Sequence, residues 1–486
     1  MTSNSESIAQ RLHGELDALI SQVSGPAGGQ QSAHAAEEQL WTGMLEMGRG
    51  LMQLCLSARS EAEAVHDVLE MPGAVYSYQG TRARGYVSLF GEVQVERAYY
   101  WSAEWGGMCP LDAALSLPER CYSDSVQERL SEVSVWVPQE HSLALFERWL
   151  GLKVPKGSLQ RSASDQAQYV ADYYQQRPLV ASPTQDSILV ATADGKGIPM
   201  TRADSPPEQA RRGKGSKKTA KKEAIVTALY SVAPYVRDSQ AILQALLGNE
   251  ADAVKPSTGR PVPSGKQTFG TLDGKAAAIS QLAQNVAQRD SPQFVWRVAL
   301  TDGASALQQH MLDYLPDFTL VLDIIHVTEH LWDAANARWG ETSPERLPWM
   351  HQALSWLLED HLDDLLNHLD AQAASLPAAP QATLNRVCAY LRRNRPFMDY
   401  QTYLARGWPI GTGVVEGACR HLVKDRFEQA GMRWSMPGAQ TMLQLRAVAL
   451  NDDWQDFQRF RRQQSHLERY QTSYPDAVPA KNPYFR

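Results

Sequence analysis

The chain has 486 residues, of which 43% are hydrophobic and 21% are charged. This is the composition of an ordinary globular protein, and the length predicts roughly two to four domains. The formal net charge of −7 excludes a uniformly basic nucleic-acid binder, although local basic patches can still bind nucleic acid.

The cysteines and the hydropathy of the chain indicate in which compartment the protein is expected. The five cysteines are scattered and form no CxxC pair, which predicts reduced thiols and no cysteine-based zinc site. The N-terminus lacks an apolar signal region, and no segment approaches the roughly 18 apolar residues that span a bilayer. We therefore expect a cytoplasmic protein that has no membrane partner.

The N-terminal part is predicted to be mainly helical, with one small β-hairpin. Residues 1–33 are expected to form a flexible N-terminus, in which a short amphipathic helix precedes a Gly/Pro-rich linker. Residues 34–180 then form one region. Within it, residues 85–101 alternate as strands do, and Gly91 predicts the hairpin turn.

A helix-turn-helix pattern follows at residues 140–170. One helical segment ends at Gly151, and a second is expected to start near Pro155. The pattern is typical of DNA-binding motifs, although a plain helical hairpin has the same appearance in sequence. If the segment binds DNA, its candidate contacts are Lys153, Lys156, Gln160 and Arg161.

Two apolar runs further along each lead into a carboxylate and then a glycine. Residues 188–193 precede Asp194, and residues 294–301 precede Asp302. Each run predicts a β-strand that ends at its aspartate. A third acid, Glu416, opens a helical stretch. Two strand-end aspartates and one helical glutamate can hold a pair of divalent metals, the arrangement used for phosphoryl transfer.

The helix that carries Glu416 has two distinct faces in the sequence. Its predicted apolar face is formed by Val415, Ala418, Cys419 and Leu422. Arg420 and Lys424 fall beside Glu416 on the opposite face, where they can meet DNA phosphates. Each acid taken alone is also compatible with an ordinary helix cap or turn.

The segments around these acids alternate between strand and helix. Strands are predicted at 223–232 and 318–325, with a helix at 275–288 and a polar insertion at 240–270. Residues from about 327 to 405 have a helical pattern. This alternation predicts a mixed α/β sheet.

Several blocks together resemble the DDE transposases of bacterial insertion sequences, and most closely the Kra-type insertion-sequence family. They are Ala193-Asp194-Gly195-Lys196-Gly197, Thr301-Asp302-Gly303-Ala304, Asp323-Ile324-Ile325-His326, Gly413-Val414-Val415-Glu416-Gly417, and the stretch from Val423 to Ser435. A further block runs from Leu130 to Pro138. The resemblance covers roughly residues 85–450.

The resemblance implies an RNase H-like catalytic domain at 185–335 and 406–450, interrupted by a helical insertion at 336–405. Residues 34–180 are then an N-terminal DNA-binding region that recognises the element ends, and residues 451–486 are a C-terminal tail. It also implies that Asp194, Asp302 and Glu416 are catalytic and hold two Mg²⁺ ions, for which Mn²⁺ can substitute. The expected partners are the terminal inverted repeats of an element and its target DNA. A homodimer or larger complex in the bacterial nucleoid is implied as well.

Resemblance to Mutator-like and related transposases places a polar residue and a histidine after the strand at 318–325, which makes Asp323 and His326 candidates for active-site support. His326, Glu329 and His330 also match the inverted zinc-protease motif. That alternative requires the motif to lie within a helix and to find a third acidic ligand. A structural role for His326 is equally open.

Further DNA contacts are suggested by two other segments. A glycine-containing basic run can contact phosphates or form a solvated loop; its candidates are Arg211, Arg212, Lys214, Lys217 and Lys218. Arg433 and Trp434 lie shortly after the Glu416 helix. An exposed Trp434 can stack on an unpaired base, whereas a buried one belongs to the core.

The expected function is that of a DNA transposase that cleaves element ends and joins them to target DNA. Two other classes stay open at this point. One is a structure-specific nuclease of the same fold that cuts without strand transfer. The other is a non-catalytic DNA-binding regulator derived from a transposase, which the intact set of three acids disfavours.

Overall fold

The computed structural model describes residues 3–25, 31–71, 73–177, 187–204, 221–248 and 259–471. These residues divide into two compact units. Unit 1 is drawn from Met1–Tyr173 and Asp452–Arg486, and unit 2 from Tyr174–Asn451. Among the described residues, none of the helices combines the length and apolar content that crossing a bilayer requires.

The elements up to the unit boundary form a four-stranded antiparallel sheet and several helices. The helices are α1 Asn4–Ser24, α2 Ala33–Glu61, α3 Pro110–Ala114, α4 Asp124–Trp136, α5 Gln139–Leu150, α6 Lys156–Ala167 and α7 Val170–Gln176. The strands are β1 Val68–Met71, β2 Ala74–Ser88, β3 Gly91–Ser102 and β4 Gly106–Met108.

The predicted hairpin is present but longer than expected. Strands β2 and β3 pair antiparallel from Ser77↔Trp101 to Ser88↔Gly91, so the turn lies just before Gly91. Gly91 has a φ of +122°, a conformation that favours glycine. The first half of β2 was not predicted, because polar residues on its exposed face obscure the strand pattern in the sequence. Alternation of buried and exposed residues is clearer in β3.

The helix, glycine turn and helix predicted at 140–170 are also present. Helix α5 ends at Gly151, which adopts the left-handed conformation with a φ of +68°. Helix α6 starts at Lys156, directly after Pro155. Phe146 of α5 and Leu159 of α6 are buried in one apolar cluster, so packing between the two helices holds the pair together.

Unit 2 contains one five-stranded sheet and a large helical part. The strands are β5 Ser187–Pro199, β6 Lys221–Val232, β7 Ser264–Thr271, β8 Phe294–Thr301 and β9 Thr319–Leu322. The helices are α8 Ser239–Leu247, α9 Lys275–Arg289, α10 Ser305–Tyr314, α11 Ile324–Trp339, α12 Arg346–Leu358, α13 Leu362–Ala374, α14 Ala378–Asn394, α15 Tyr400–Ala405, α16 Gly413–Ala418, α17 Asp425–Phe427 and α18 Met436–Leu450. A π-helical turn, Cys419–Lys424, joins α16 to α17.

The sheet of unit 2 is mixed, with the strand order β7-β6-β5-β8-β9. Strand β6 pairs antiparallel with both β5 and β7, whereas β5-β8 and β8-β9 are parallel. Side chains of β5 alternate between two buried clusters. Ile188 and Val190 pack with the helical part, and Leu189 and Ala191 pack with α9 and α10. Both faces are therefore covered, and the run at residues 188–191 of β5 is apolar.

Several expectations for unit 2 were wrong in detail. The segment at 240–270 is not only a polar insertion, because it contains α8 and the edge strand β7. The strand expected at 318–325 ends at Leu322, and a helix begins at Ile324. The polar sequence of β7, Ser-Gly-Lys-Gln-Thr-Phe-Gly-Thr, lacks an apolar alternation because edge strands bury less of their surface.

The termini also differ from expectation. Residues 1–33 are not uniformly flexible, because α1 spans 21 residues and starts with a capping box between Ser3 and Glu6. The segment 451–486 is not simply a tail, since it contains helix α19, Trp454–His466, followed by a π-helical turn. This helix belongs to unit 1, where Gln458 bonds Gln166 at 2.7 Å.

Candidate active site

Asp194 and Asp302 lie on neighbouring parallel strands of the sheet in unit 2. The pairing of β5 with β8 runs through Thr192↔Leu300, two residues before each aspartate. Asp302 directly follows β8, as predicted. Asp194 is not at a strand end, because β5 continues to Pro199 through its antiparallel pairing with β6. The parallel pairing nevertheless stops after Thr192, so the edge of the β5–β8 pair lies beside both aspartates.

Asp194 is half-buried and bonded through both carboxylate oxygens. The Gly195 amide donates to Oδ1 at 2.6 Å, and the Cys419 thiol donates to Oδ2 at 3.4 Å. Burial raises the pKa of Asp194, and the negative charge of Asp302 raises it further. Burial and the carboxylate of Asp194 also raise the pKa of the Cys419 thiol, so Cys419 stays protonated and donates. Cys419 thus links the Glu416 helix to β5.

The loop after Asp302 is held by α14 from the helical part. The hydroxyl of Tyr390 donates to the Asp302 carbonyl at 3.2 Å, and Arg393 donates to the Gly303 carbonyl at 2.8 Å. Within the loop, the Ala304 amide donates to Asp302 Oδ1 at 2.9 Å. The helical insertion therefore fixes the backbone on which Asp302 stands.

Asp323 joins the start of α11 to the site. Its side chain is completely buried, and its Oδ1 caps the helix by accepting from the Ile325 amide at 3.0 Å. Its Oδ2 lies 2.7 Å from His326 Nδ1 and accepts from the Thr412 hydroxyl at 2.5 Å. The hydrogen bond that His326 donates to Asp323 raises the pKa of His326 to about 9 despite partial burial. His326 is therefore a cation at neutral pH when no metal is bound.

Glu416 lies on the exposed side of α16, as the sequence predicted. The predicted apolar face is confirmed, because all four of its members are buried: Val415, Ala418, Cys419 and Leu422. Arg420 and Lys424 are exposed on the other side. Burial of one face therefore orients Glu416 toward solvent at the edge of the sheet.

Thr412 connects Glu416 to Asp323. Its buried hydroxyl lies 2.9 Å from Glu416 Oε1 and 2.5 Å from Asp323 Oδ2. A threonine hydroxyl has one hydrogen to donate, so it cannot satisfy both carboxylates at once. The two acids therefore compete for one donor.

Three of these side chains form a group that can hold a metal ion. One ligand atom from each of Asp323, His326 and Glu416 lies within 4.8 Å of the others, and among the described residues no other set of three is this close. Asp194 and Asp302 lie outside that group. In metal sites a carboxylate commonly bonds one ring nitrogen of a ligating histidine; Asp323 bonds Nδ1 of His326 in this way.

The zinc-protease arrangement is not assembled in the described part of the chain. His326, Glu329 and His330 do lie together within α11. However, His330 and Glu329 are not members of the metal-capable group. The ring of His330 instead packs against Tyr390, with 3.9 Å between centroids, and burial lowers its pKa.

The predicted DNA contacts have different surroundings. In unit 1, four side chains are exposed on the helix pair and bond near neighbours, namely Lys153 to Glu147, Lys156 to Glu140, Gln160 to Gln139, and Arg161 to Ser158. In unit 2, Arg433 is exposed. The basic run, Arg211, Arg212, Lys214, Lys217 and Lys218, lies outside the described residues.

Trp434 does not have the exposure that base stacking requires. Its side chain is only 8% exposed, and its ring packs on Phe427 at 4.6 Å between centroids. Its backbone pairs with the end of β5, where the Trp434 amide donates to the Pro199 carbonyl and the Thr201 amide donates to the Trp434 carbonyl. The proposed stacking role is therefore wrong, because this tryptophan anchors its segment to the core.

Sequence reasoning missed Thr412, Tyr390 and Arg393, and gave Cys419 only a packing role. Thr412 lies four residues before Glu416, and this helical spacing was the available indication. Tyr390 and Arg393 gave none, because their partners lie 88 and 90 residues away.

Asp194 and Asp302 supply two carboxylates at the sheet, and Glu416 supplies a third from a helix. The imidazole of His326 is bonded to a fourth carboxylate, that of Asp323. Carboxylate oxygens suit Mg²⁺ and Mn²⁺, and imidazole suits borderline metals. Comparison of the sequence with protein-family models and with curated proteins finds no match.

Proposed function

We propose that this chain is a DNA transposase that uses an RNase H-like domain and a DDE-type set of carboxylates. The supporting observation is the arrangement of the acids. Asp194 and Asp302 stand on adjacent parallel strands, and the Glu416 helix is bonded to Asp194 through Cys419. The strand order β7-β6-β5-β8-β9, with antiparallel pairs on one side of β5 and parallel pairs on the other, agrees with such a domain.

Asp194, Asp302 and Glu416 would hold the divalent cations in this proposal, with Mg²⁺ or Mn²⁺ suited to their oxygen donors. When bound, such ions supply Lewis-acid stabilisation of the charge that develops during phosphoryl transfer. Asp323 already accepts three hydrogen bonds, so its part is to orient His326 and Thr412.

The chain's own residues position the reacting groups. Tyr390 and Arg393 fix the backbone at Asp302, while Cys419 fixes Asp194 Oδ2. His326 holds a proton at Nδ1 against Asp323, and its positive charge offsets the surrounding acids before a metal binds. A prearranged site of this kind lowers the reorganisation that accompanies reaction.

DNA is the proposed substrate, and it would contact both units. The exposed helix pair of unit 1 would recognise the element ends, and Arg420 and Lys424 would contact phosphates beside Glu416. Joining two ends requires two active sites, which favours a homodimer or larger complex on DNA.

The test is cleavage and joining of labelled duplexes made from the DNA that flanks the coding sequence, with Mg²⁺ or Mn²⁺. We expect metal-dependent cutting and joined products from the wild type. Asp302→Asn and Glu416→Gln should each lose about 10²–10³-fold in rate, because each removes a charge that stabilises the reaction. Asp317→Asn is the matched control, since Asp317 is an exposed acid of the same unit outside the site.

The products separate the competing functions. Cutting without joined products would indicate a nuclease. Binding without cutting would indicate a regulator and leave the acids structural. Cleavage that persists in Asp302→Asn would contradict the assignment of the site.

A further inference from the structure

A group of lysines surrounds a single glutamate next to the candidate active site. We call Lys196, Lys221 and Lys424 the lysine surface. Lys221 Nζ lies 2.6 Å from Glu428 Oε1, and both side chains are partly exposed. Lys196 and Lys424 also act on Glu428, because their charges together with the Lys221 hydrogen bond lower its pKa. Three cations therefore share one acid.

The lysine surface is continuous with the catalytic acids. Lys196 is two residues after Asp194 on β5, so both side chains leave the same face of the strand, about 7 Å apart along it. The charge of Lys196 also acts on Cys419, the residue bonded to Asp194. Lys424 ends the π-helical turn that begins at Cys419.

The charges of this surface are not balanced internally. Glu428 can neutralise one of the three lysines. Two other acids lie on the segments that carry these lysines, and both have cationic partners. Asp425 is engaged by His421 at 2.9 Å and lies 3.9 Å from Arg420. Glu223 is paired with Lys275 at 3.5 Å. A surplus of exposed positive charge beside acidic catalytic residues attracts a polyanion.

Lysine chemistry indicates which part of DNA binds here. An ammonium on a flexible stem is a point charge that meets phosphates well, whereas base recognition favours planar, bidentate groups. All three groups of the lysine surface are ammonium groups. This favours contact with the sugar-phosphate backbone, independent of sequence.

We propose that Lys196, Lys221 and Lys424 bind the phosphate backbone of the DNA strand that enters the site at Asp194, and that Glu428 weakens this contact by occupying Lys221. The inference rests on the proposed function, and it adds the path of the strand and an acid that opposes binding. Removing a lysine charge should then weaken DNA binding, whereas removing the charge of Glu428 should strengthen it.

The experiment measures binding of a labelled duplex to the full chain in EDTA, so that no cleavage occurs, between about 50 and 200 mM salt. The Lys196→Gln/Lys424→Gln double variant should bind several-fold more weakly and lower the salt slope by about two, one for each phosphate that a lysine no longer neutralises. Glu428→Gln should bind several-fold more tightly. All of these side chains are at least partly exposed, so the variants should fold.

Lys266→Gln is the matched control. Lys266 is exposed on β7 of the same sheet, next to Gln267, which pairs with Leu229. Leu229 pairs with Ala191, three residues from Asp194, so Lys266 lies toward the opposite end of the strands. It should bind DNA as the wild type does.

Two outcomes overturn the inference in different ways. If the wild type binds DNA and the lysine variants keep its affinity and salt slope, the lysine surface does not touch DNA, and the proposed function is unaffected. If the wild type binds none of the duplexes, the proposed function fails together with the inference. Tighter binding by Glu428→Gln with weaker binding by the lysine variants supports the inference.

Discussion

Thr412 occupies a position where one hydroxyl hydrogen faces two carboxylates. Replacing it by valine keeps the shape and removes the hydroxyl that donates to Asp323 Oδ2, with 2.5 Å between the two oxygens. A hydrogen bond to a charged group contributes roughly 1.5–3 kcal/mol, which corresponds to about 10–100-fold in rate if it acts in the transition state. We therefore expect Thr412→Val to lower the metal-dependent cleavage rate by about that factor.

A conservative variant separates this positioning role from simple packing. Thr412→Ser retains the hydroxyl and loses only a methyl group, so it should recover most of the activity. The measurement is the single-turnover cleavage rate of the three proteins over a range of Mn²⁺ concentrations. Equal rates for Thr412→Val and the wild type would show that the Thr412 hydroxyl positions neither Asp323 nor Glu416 for cleavage.

Gly303 has both a backbone conformation and surroundings that exclude a side chain. Its φ is +89°, and an added Cβ would lie 2.8 Å from the Tyr390 hydroxyl oxygen. Gly303→Ala should lower the free energy of unfolding by about 1–3 kcal/mol, the usual cost of such a strained position. Chemical denaturation measures this. Gly417→Ala, where nothing lies within 4 Å of the added Cβ, should cost nothing comparable.

At the scale of elements, the first turn of α11 carries a titratable pair. The hydrogen bond that His326 donates to Asp323 raises the pKa of His326 to about 9 from 6.5. Because the folded pKa is higher than the unfolded one, the pair stabilises the metal-free protein fully below pH 6.5. That stabilisation is lost as the pH rises through about 9.

We expect this loss to appear as a difference between two proteins. In Asp323→Asn, the helix cap is retained but the charge that holds the His326 proton is removed. Urea unfolding in EDTA from about pH 6 to about pH 10 should show the stability gap between wild type and variant shrinking with pH. Parallel curves over this range would contradict the assigned pair.

The helical insertion contributes to the site as well as to the core. Its helix α14 reaches the loop after β8 with both Tyr390 and Arg393. Gln308 of α10 also bonds Asn394 at 2.8 Å in the interior. An element inserted in sequence between Asp302 and Glu416 therefore positions one of the two acids that it separates.

At the scale of the whole molecule, the chain leaves unit 1 and returns to it. Helix α19 closes unit 1, where Arg461 bonds Asp124 at 2.9 Å and Gln458 bonds Gln166. Unit 2 is one continuous segment, Tyr174–Asn451, with its own buried clusters. Deleting residues 452–486 should therefore loosen unit 1 and leave unit 2 folded.

Hydrogen exchange on the truncated chain measures both effects in one sample. We expect faster exchange in α4 and α6, whose partners on α19 are removed, and unchanged exchange in β5 and β8. Unit 2 serves as the internal control. Unchanged exchange in α4 would mean that α19 does not support unit 1, and faster exchange in β5 would contradict the independence of unit 2.

Local periodicity was enough to predict much of unit 2. The strands before Asp194 and Asp302, and the buried face of Val415, Ala418 and Cys419, follow from repeats of two and of three to four residues. Such repeats report which side of an element is buried. The sequence by itself therefore determined which strands carry Asp194 and Asp302, that Glu416 lies on the exposed side of its helix, and that the insertion is helical.

Only the tertiary structure decided which groups meet. Thr412 and Asp323 are 89 residues apart, and no local pattern indicates that one hydroxyl lies within hydrogen-bond distance of both Asp323 and Glu416. Trp434 is buried because its segment pairs with the end of β5, and α19 joins unit 1 through partners more than 290 residues away. Periodicity describes one element's faces, whereas the partner of each face depends on how distant segments pack.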